Sequence, residues 1–189
     1  MLCPVSEEDA APAGAPDVAA AGSATGLRIA APSPEHAGEM LTVQRAAYVT
    51  EAQRYHAPHI PPLRETLQEI TADLAAAGPL LVARAAWLGP RLVGSVRGRV
   101  EGEAMEVVRF TVAPDVQGGG VGRALLTALH AAAPPTVGSF WLVTGGRSDD
   151  NLRFYGAAGY QVTGRVVDDA GVELVRMERH LDGRAASHR

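Results

Sequence analysis

Residues 105–126 read MEVVRFTVAPDVQGGGVGRALL, and the organisation of the whole chain follows from this stretch. The apolar run 105–112 predicts a strand, residues 113–120 predict a glycine-rich turn, and the apolar spacing from Val121 onward predicts an amphipathic helix. The first N–H groups of a helix have no partner inside the helix, and its dipole attracts an anion to them. Glycines leave room for a phosphate to reach those groups. The stretch therefore predicts a binding site for the phosphates of a coenzyme.

Two common phosphate-binding motifs do not fit this turn. A nucleotide-triphosphate loop ends in Gly-Lys-Ser/Thr, whereas Gly122 is followed by Arg123 and Ala124. A dinucleotide fingerprint that starts at Gly118 or Gly120 needs its last glycine at position 123 or 125, where arginine and leucine stand. An ordinary glycine-rich turn between a strand and a helix stays open as the alternative.

The spacing of the turn does resemble a third motif. Val112-x-Pro114-x-x-Gln117-x-x-Gly120-x-Gly122 is similar to the acetyl-CoA motif of the GNAT N-acetyltransferase superfamily. In that family, backbone amides of the motif wrap the pyrophosphate of coenzyme A. The resemblance implies that acetyl-CoA is the co-substrate of this chain.

A second block, residues 151–160, reads NLRFYGAAGY and resembles the pattern on the helix after the fifth strand of GNAT enzymes. The two blocks and the predicted elements from Leu27 to Leu181 stand in the family's order, so the resemblance covers nearly all of the chain after residue 26. The coenzyme contacts that it implies are Phe110, Thr111, Val112, Gln117, Gly118, Gly119, Gly120, Val121, Gly122, Arg123, Ala124, Asn151 and Tyr155.

Two of these contacts have open alternatives. Asn151 fits a hydrogen-bond partner for the pantetheine arm, or it caps its own helix; in some family members the asparagine stands nearer the helix start, where this chain has Ser148. Arg123 reaches a phosphate, or it is a solvated side chain in the first turn. The resemblance also implies that a backbone N–H near Val112 polarises the acetyl carbonyl.

The implied reaction is attack by a neutral amine on the thioester carbon. A substrate ammonium with a pKa near ~10.4 must first lose a proton, which costs about 4–5 kcal/mol at pH 7. Glu106 is the first candidate for the base. Strand periodicity places it on one face with Val108, Phe110 and Val112, an apolar setting that raises a carboxyl pKa.

Other bases stay open. The spacing of Glu106 to Gln117 resembles that of the glutamate base in histone-acetylating family members, but a carboxylate at a strand end can also simply face water. Glu51 is a second candidate, and a relay of water molecules makes either carboxylate unnecessary.

Tyr155 is the candidate acid, because the family's matching tyrosine is thought to donate to the departing sulfur. A phenol of pKa ~10 is a weaker acid than a thiol of ~8.5, so full proton transfer is uphill by roughly 2 kcal/mol. Hydrogen-bond stabilisation of the thiolate is the more defensible role. The alternative is that Tyr155 packs in the core, as we expect of Phe154 and Tyr160.

The segment from Thr50 to Leu63 is predicted to be a loop because of its prolines. Within it, Glu51, Tyr55 and His56 are candidates for binding the acceptor substrate, and a solvated connector is the alternative. His56 and His59 have no third ligand at a matching spacing, so no metal site is predicted.

The predicted fold is α/β: a mixed, mostly antiparallel twisted sheet of six to seven strands, flanked by about four helices and similar to GNAT folds. Residues 27–182 are expected to form this single domain, residues 1–26 a disordered Ala/Pro/Gly-rich tail, and residues 183–189 a frayed end. The predicted strands are 27–30, 80–87, 92–100, 105–112, 139–144, 160–167 and 172–181, and the predicted helices begin near residues 33, 64, 120 and 149.

Composition sets the class of protein. With 47% hydrophobic and 20% charged residues, the chain is predicted to be a globular domain, and its net charge of −4 argues against binding to nucleic acid. The single cysteine, Cys3, has no partner for an internal disulfide, so we expect a cytoplasmic protein. No apolar run approaches ~18 residues, which argues against a membrane span. A homodimer is possible.

The predicted function is acetyl-CoA-dependent N-acetylation of a primary amine, either a small molecule or the N-terminus of a protein or peptide. The acidic charge balance, with Glu51 and Glu65, favours a cationic acceptor. Two alternatives stay open: a sensor that binds acyl-CoA without turnover, and transfer of an acyl group longer than acetyl.

Overall fold

The computed structural model describes residues 26–168 and 171–181. The predicted tail, including Cys3, and the predicted frayed end therefore lie outside the described residues, apart from Gly26. Two residues of the last turn, 169 and 170, also lie outside them.

In the described part of the chain, seven strands form one sheet in the order β1-β2-β3-β4-β5-β7-β6. All neighbouring strands are antiparallel except β4 and β5, which run parallel. The mixed, mostly antiparallel sheet that the sequence predicts is confirmed. The strands are β1 Leu27–Ala30, β2 Leu81–Leu88, β3 Arg91–Glu101, β4 Ala104–Val112, β5 Ser139–Gly145, β6 Gln161–Val167 and β7 Glu173–His180.

Among the residues that the structure describes, five α-helices flank the sheet, and one of them is a single turn that the sequence did not indicate. They are α1 Ala37–Tyr55, α2 Pro61–Arg64, α3 Leu67–Ala75, α4 Val121–Ala131 and α5 Asp149–Ala157, with short 3-10 turns at Pro34–His36 and Pro114–Val116.

The first helix is longer than predicted. Residues 50–55 were predicted to be loop, but they form the last turns of α1, and the helix ends at His56 in a left-handed conformation (φ 51°). The physical reason is that the prolines begin only at Pro58, and the residues before them contain no helix breaker. The prediction of a loop over that part is wrong.

The next predicted helix, 64–77, is shorter in the structure. Thr66 starts α3 by accepting a hydrogen bond from the N–H of Glu69 in a capping box. The spacing of Leu67, Ile70 and Leu74 predicts that these three residues share one buried face. Ile70 and Leu74 are buried, whereas Leu67 is 50% exposed because it lies in the first turn. The predicted buried face is correct for two of its three residues.

The helices cover the two faces of the central strands. A Cβ added at Gly94 or Gly98 of β3 would meet Leu125 or Leu129, so this face packs on α4. The opposite face carries Arg97, whose guanidinium reaches Asp73 of α3. Burial of each large side chain on such a face contributes about 1.5–3 kcal/mol.

Strands β4 and β5 separate soon after they meet. Their parallel ladder has three pairs, Ala104 with Ser139, Met105 with Phe140, and Glu106 with Trp141. Beyond the last pair the two strands diverge, and each keeps only its other neighbour. This divergence leaves a gap in the backbone pairing in the middle of the sheet, beyond Glu106 and Trp141.

A β-bulge interrupts β4 next to this gap. Val108 lies opposite Arg97 and Thr111 lies opposite Ser95, so Arg109 and Phe110 share the space opposite one residue of β3. Arg109 has a φ of 51°, the left-handed region.

The bulge reverses the alternation of side chains along β4. Glu106 and Val108 lie on the face that α1 and α3 cover, whereas Phe110 and Val112 lie on the α4 face. The prediction that all four residues share one face is therefore wrong beyond Val108, because an uninterrupted period of two does not hold across a bulge.

Candidate active site

The turn between β4 and α4 presents unpaired backbone amides. The side chain of Gln117 donates to the carbonyl of Val112 at 3.1 Å and closes the turn. Hydrogen bonding within α4 begins at Ala124, whose N–H donates to the carbonyl of Gly120 at 3.1 Å. The N–H groups of residues 121–123 therefore lie at the free end of the helix, with its positive dipole.

The glycines of this turn have different roles. Gly118 and Gly120 have φ values of 80° and 85°, and a Cβ added at either would meet nothing within 4 Å. Gly122 instead permits close packing, because an added Cβ would lie 3.4 Å from the ring of Phe110 and 3.5 Å from that of Phe154. The open, amide-rich turn fits the pyrophosphate of coenzyme A, and Gly122 holds α4 against the aromatic pair beside it.

Tyr155 lies in this aromatic group. Its ring is 6.1 Å from Phe110 and 5.8 Å from Tyr160, and the residue is 8% exposed. Burial raises the pKa of its hydroxyl well above the usual range, and the nearby Tyr48 and Glu51 add to the rise. Among the described residues, no hydrogen bond joins this hydroxyl to a partner, so its proton is available to a ligand.

Asn151 is directed at the diverging part of β5. Its side-chain amide donates to the hydroxyl of Thr144 at 3.2 Å. The residue at the start of α5 is Ser148, not Asn151, so the alternative that Asn151 caps its helix is wrong. Asn151 therefore lies beside the gap between β4 and β5.

Glu106 lies at the closed end of the gap. It is half-buried, opposite Arg99 of β3 and Trp141 of β5. Burial raises the pKa of its carboxyl, and the charge of Arg99 offsets part of that rise. The predicted direction of the pKa shift is confirmed, although Phe110 and Val112 lie on the other face of the sheet from Glu106.

The three candidate acceptor-binding residues lie together at the end of α1. The carboxylate of Glu51 accepts from Arg54 at 3.0 Å and from the hydroxyl of Ser148 at 3.1 Å. Tyr55 accepts at its hydroxyl from the N–H of Arg147 at 2.7 Å. His56 is exposed and ends the helix. Glu51 and Tyr55 thus join α1 to the start of α5 and the end of β5.

A buried charge cluster was missed by the sequence analysis. Arg97 of β3 is 1% exposed, and its guanidinium donates to Glu65 and to Asp73 at 2.6 Å each and to Gln44 at 3.3 Å. Arg109 donates from Nε to Glu65 at 3.3 Å. Nothing in the sequence could have indicated these pairs, because the partners are 24 to 53 residues apart.

The cluster changes the interpretation of Glu65. Burial alone would raise the pKa of its carboxyl, but hydrogen bonds from Arg97 and Gln44 outweigh burial and lower it. Because Glu65 is buried and already paired with two arginines, it is not available to recognise a cationic acceptor. The argument that Glu65 favours such an acceptor is wrong.

Within 26–168 and 171–181, no three His, Cys, Asp or Glu side chains are arranged to hold a metal ion. In the same part of the chain, no helix combines the length and apolar character that a membrane span needs.

Several solved structures share the fold. The PaiA N-acetyltransferase of Thermoplasma acidophilum, in complex with coenzyme A, aligns with a TM-score of 0.66 at 14% identity over 82% of this chain and 99% of that one. The ribosomal-protein-S18-alanine N-acetyltransferase of Escherichia coli aligns with a TM-score of 0.65 at 13% identity, over 86% of this chain and 99% of that one. The yncA protein of Salmonella typhimurium, solved with acetyl-CoA, aligns with a TM-score of 0.69 at 18% identity, over 86% of this chain and 98% of that one.

Sequence comparison identifies the family. The search of curated proteins gave no match. Residues 64–181, more than half of the chain, match the model of the acetyltransferase (GNAT) domain, and they include the amide-rich turn, the gap between β4 and β5, and helix α5. The chain therefore belongs to the GNAT acetyltransferase domain family.

Proposed function

We propose that this protein transfers the acetyl group of acetyl-CoA to a primary amine, by direct attack of the amine on the thioester. The observation that carries the proposal is the gap beyond the Glu106–Trp141 pair. It connects the α4 face, with the amide-rich turn, to the α1 and α3 face, with Glu106. Two reactants can therefore meet from opposite faces of the sheet.

The coenzyme is held on the α4 face. The amides of Gly118 and of residues 120–123 bind its phosphates, and Asn151 and the edge of β4 that faces the gap bind the pantetheine arm. Solved relatives of the same fold contain coenzyme A or acetyl-CoA, which supports this assignment. Bound in this way, acetyl-CoA supplies the acetyl thioester.

Glu106 accepts the proton of the substrate ammonium at a carboxylate oxygen. Its raised pKa makes it a stronger base than an ordinary glutamate, so less of the roughly 4–5 kcal/mol deprotonation cost remains. Glu51 is the less suitable base, because Arg54 and Ser148 already donate to its Oε1 atom.

Tyr155 stabilises the departing sulfur through a hydrogen bond from its hydroxyl. The rise of its pKa on burial makes full proton transfer to a thiolate still less favourable than for an ordinary phenol. Its contribution is therefore electrostatic, from a donor held in place by the surrounding rings.

The test is thiol release from acetyl-CoA in the presence of a panel of amines, amino acids and peptide N-termini, with product masses recorded. We expect release that depends on both the protein and the acceptor, with one acetyl group gained by the acceptor. Coenzyme binding without release on any acceptor would contradict the transferase proposal and favour a sensor. Parallel reactions with propionyl-CoA determine the preferred acyl length.

A further inference from the structure

A cavity of about 470 Å³ opens on the face of the sheet where Glu106 lies. It separates the α2–α3 segment from strands β3 and β4, and this volume suits a small molecule. Arg99, one of its lining residues, is the cross-strand neighbour of Glu106. The charged residues that line the cavity are Arg64, Glu65, Glu69, Asp73, Arg99 and Arg109.

Arg109 is the central cation of this cavity. A residue other than glycine in the left-handed region costs about 1 kcal/mol or more, and such strain concentrates at functional sites. The side chain is 21% exposed, and its Nε donates to Glu65 at 3.3 Å. In the described part of the chain, its two terminal nitrogen groups have no hydrogen-bond or ion-pair partner. Together they offer the planar pair of donors that binds a carboxylate.

Arg99 and Arg64 are the other two cations that line the cavity. Arg99 is 45% exposed and lies 3.8 Å from Asp73, beyond hydrogen-bond distance. Arg64 is exposed, and it makes no ion pair within the described ranges. Both can therefore turn toward a bound anion.

The carboxylates of the cavity already have partners. Glu65 and Asp73 each accept a hydrogen bond from Arg97 at 2.6 Å. Glu69 accepts from the backbone N–H and the hydroxyl of Thr66 at 2.7 and 2.8 Å. Each carboxylate already accepts a hydrogen bond at one oxygen, so the terminal nitrogens of Arg109 are the donors left to a ligand. The nearby negative charges favour a monoanion over a dianion such as phosphate.

We propose that this cavity binds a carboxylate of the acceptor, so that the substrate is an amine that also carries a carboxylate, such as an amino acid. This inference rests on the proposed acetyl transfer. Arg109 stands three residues from Glu106 along the strand, about 10 Å, and Arg99 is nearer still. An amino acid held through its carboxylate can therefore present its amine toward Glu106.

The test uses pairs of acceptors that differ only in this group: amino acids and ω-amino acids, each beside its neutral amide. The measured quantity is the preference, defined as kcat/KM for the acid divided by kcat/KM for the amide. We expect Arg109→Gln to lower the preference by about 10- to 100-fold relative to the wild type, since a charged bidentate contact is lost. The amine of an acid and that of its amide differ in basicity, but this difference is the same for both proteins. It therefore cancels when the preference of the variant is divided by that of the wild type. Arg165→Gln, at an exposed arginine of β6, should leave the preference unchanged.

The outcomes separate this inference from the proposed function. A preference that is the same in Arg109→Gln and the wild type, while amines still release thiol, overturns the carboxylate site and leaves the acetyl transfer intact. No thiol release with any amine overturns both. If Arg109→Gln does not fold, the double variant Arg64→Gln/Arg99→Gln decides the question, because it keeps the Arg109–Glu65 pair. A lowered preference supports the site, and an unchanged one overturns it.

Discussion

Glu106 of β4 and Trp141 of β5 form the last pair of a parallel ladder that has three pairs. Glu106 therefore lies at the point where the two central strands diverge. In the proposed reaction, Glu106 reaches the acceptor from one face of the sheet while the coenzyme occupies the other.

The first prediction concerns Glu106→Gln. A general base contributes about 10²-fold or more, so kcat/KM for the amine should fall by at least about 10²-fold near neutral pH. The base acts when deprotonated, so the activity of the wild type should rise as the pH rises through a pKa above the ordinary 4.5. That rise should be missing from the pH profile of the variant.

The matched control is Glu103→Gln, at an exposed residue of the turn between β3 and β4. We expect its kcat/KM and pH profile to equal those of the wild type. An ascending limb that persists in Glu106→Gln would show that another group takes the proton.

Tyr155→Phe should lower kcat by about 10²-fold and leave the Kd of acetyl-CoA within about two-fold, because the hydroxyl acts on the developing thiolate. Its stability should change little, since no described residue bonds to this hydroxyl. Tyr160→Phe is the control: it loses the 2.8 Å contact with His130, about 1 kcal/mol of stability, but no catalytic donor. Equal losses of kcat in both variants would point to packing alone.

Gly120→Ala should weaken coenzyme binding by about ten-fold or more, measured by calorimetric titration. The cost of a left-handed alanine, about 1–2 kcal/mol, is relieved only by moving the turn and its amides. Gly102→Ala, at φ 62° in the turn after β3, carries the same strain in similarly open space. It should lose comparable stability and keep the wild-type Kd. Weakened binding in both variants would refute a specific role for the β4–α4 turn.

Glu65→Gln should destabilise the fold by about 3 kcal/mol, measured as the free energy of unfolding in urea. It removes the buried partner of a fully buried arginine and leaves that arginine paired with Asp73, which is partly exposed. Asp73→Asn should cost less, about 1 kcal/mol, because Asp73 is 30% exposed and water screens its bond to Arg97. A cost for Glu65→Gln no larger than for Asp73→Asn would contradict the assignment of Glu65 as the central partner.

His130 should make the stability depend on pH. Burial, with the charge of Arg179, lowers its pKa from 6.5 to about 4. The neutral ring is favoured in the folded state, so as the pH falls from 6.5 to about 4 the unfolded chain binds a proton that the folded chain does not. We expect the free energy of unfolding to fall by about 2 kcal/mol over this range. This is less than the whole pKa difference would give, because the ring is partly exposed to water.

Unfolding in urea at about pH 7 and about pH 4.5 measures this effect. The His130→Gln variant should lose most of the difference between the two conditions. A difference of equal size in the variant would mean that carboxylates, not His130, cause the pH dependence.

Local patterns predicted much of the fold. Apolar runs bounded by turn residues located the seven described strands, and α5 ends just before Gly159, whose φ is 88°. The glycine-rich turn was recognised because positive φ values and the start of a helix have strong local signals.

Features that depend on distant residues were not predictable. The bulge at Arg109 has no glycine or proline to mark it, so the reversal of faces along β4 was missed. Arg97 looks like any strand residue in the sequence, and its burial depends on Glu65 and Asp73 from another part of the chain. The cavity beside Glu106 is built by the same long-range pairs, and so it too appears only in the folded structure.

The most direct measurement follows the acetyl group itself. Isotopically labelled acetyl-CoA is mixed with the protein, with and without an amino-acid acceptor, and the masses of the acceptor and the intact protein are recorded. We predict that the label moves to the amine in step with thiol release and that the protein carries none. Label on the protein, or no labelled amine although the coenzyme binds, would contradict direct transfer across the gap between β4 and β5.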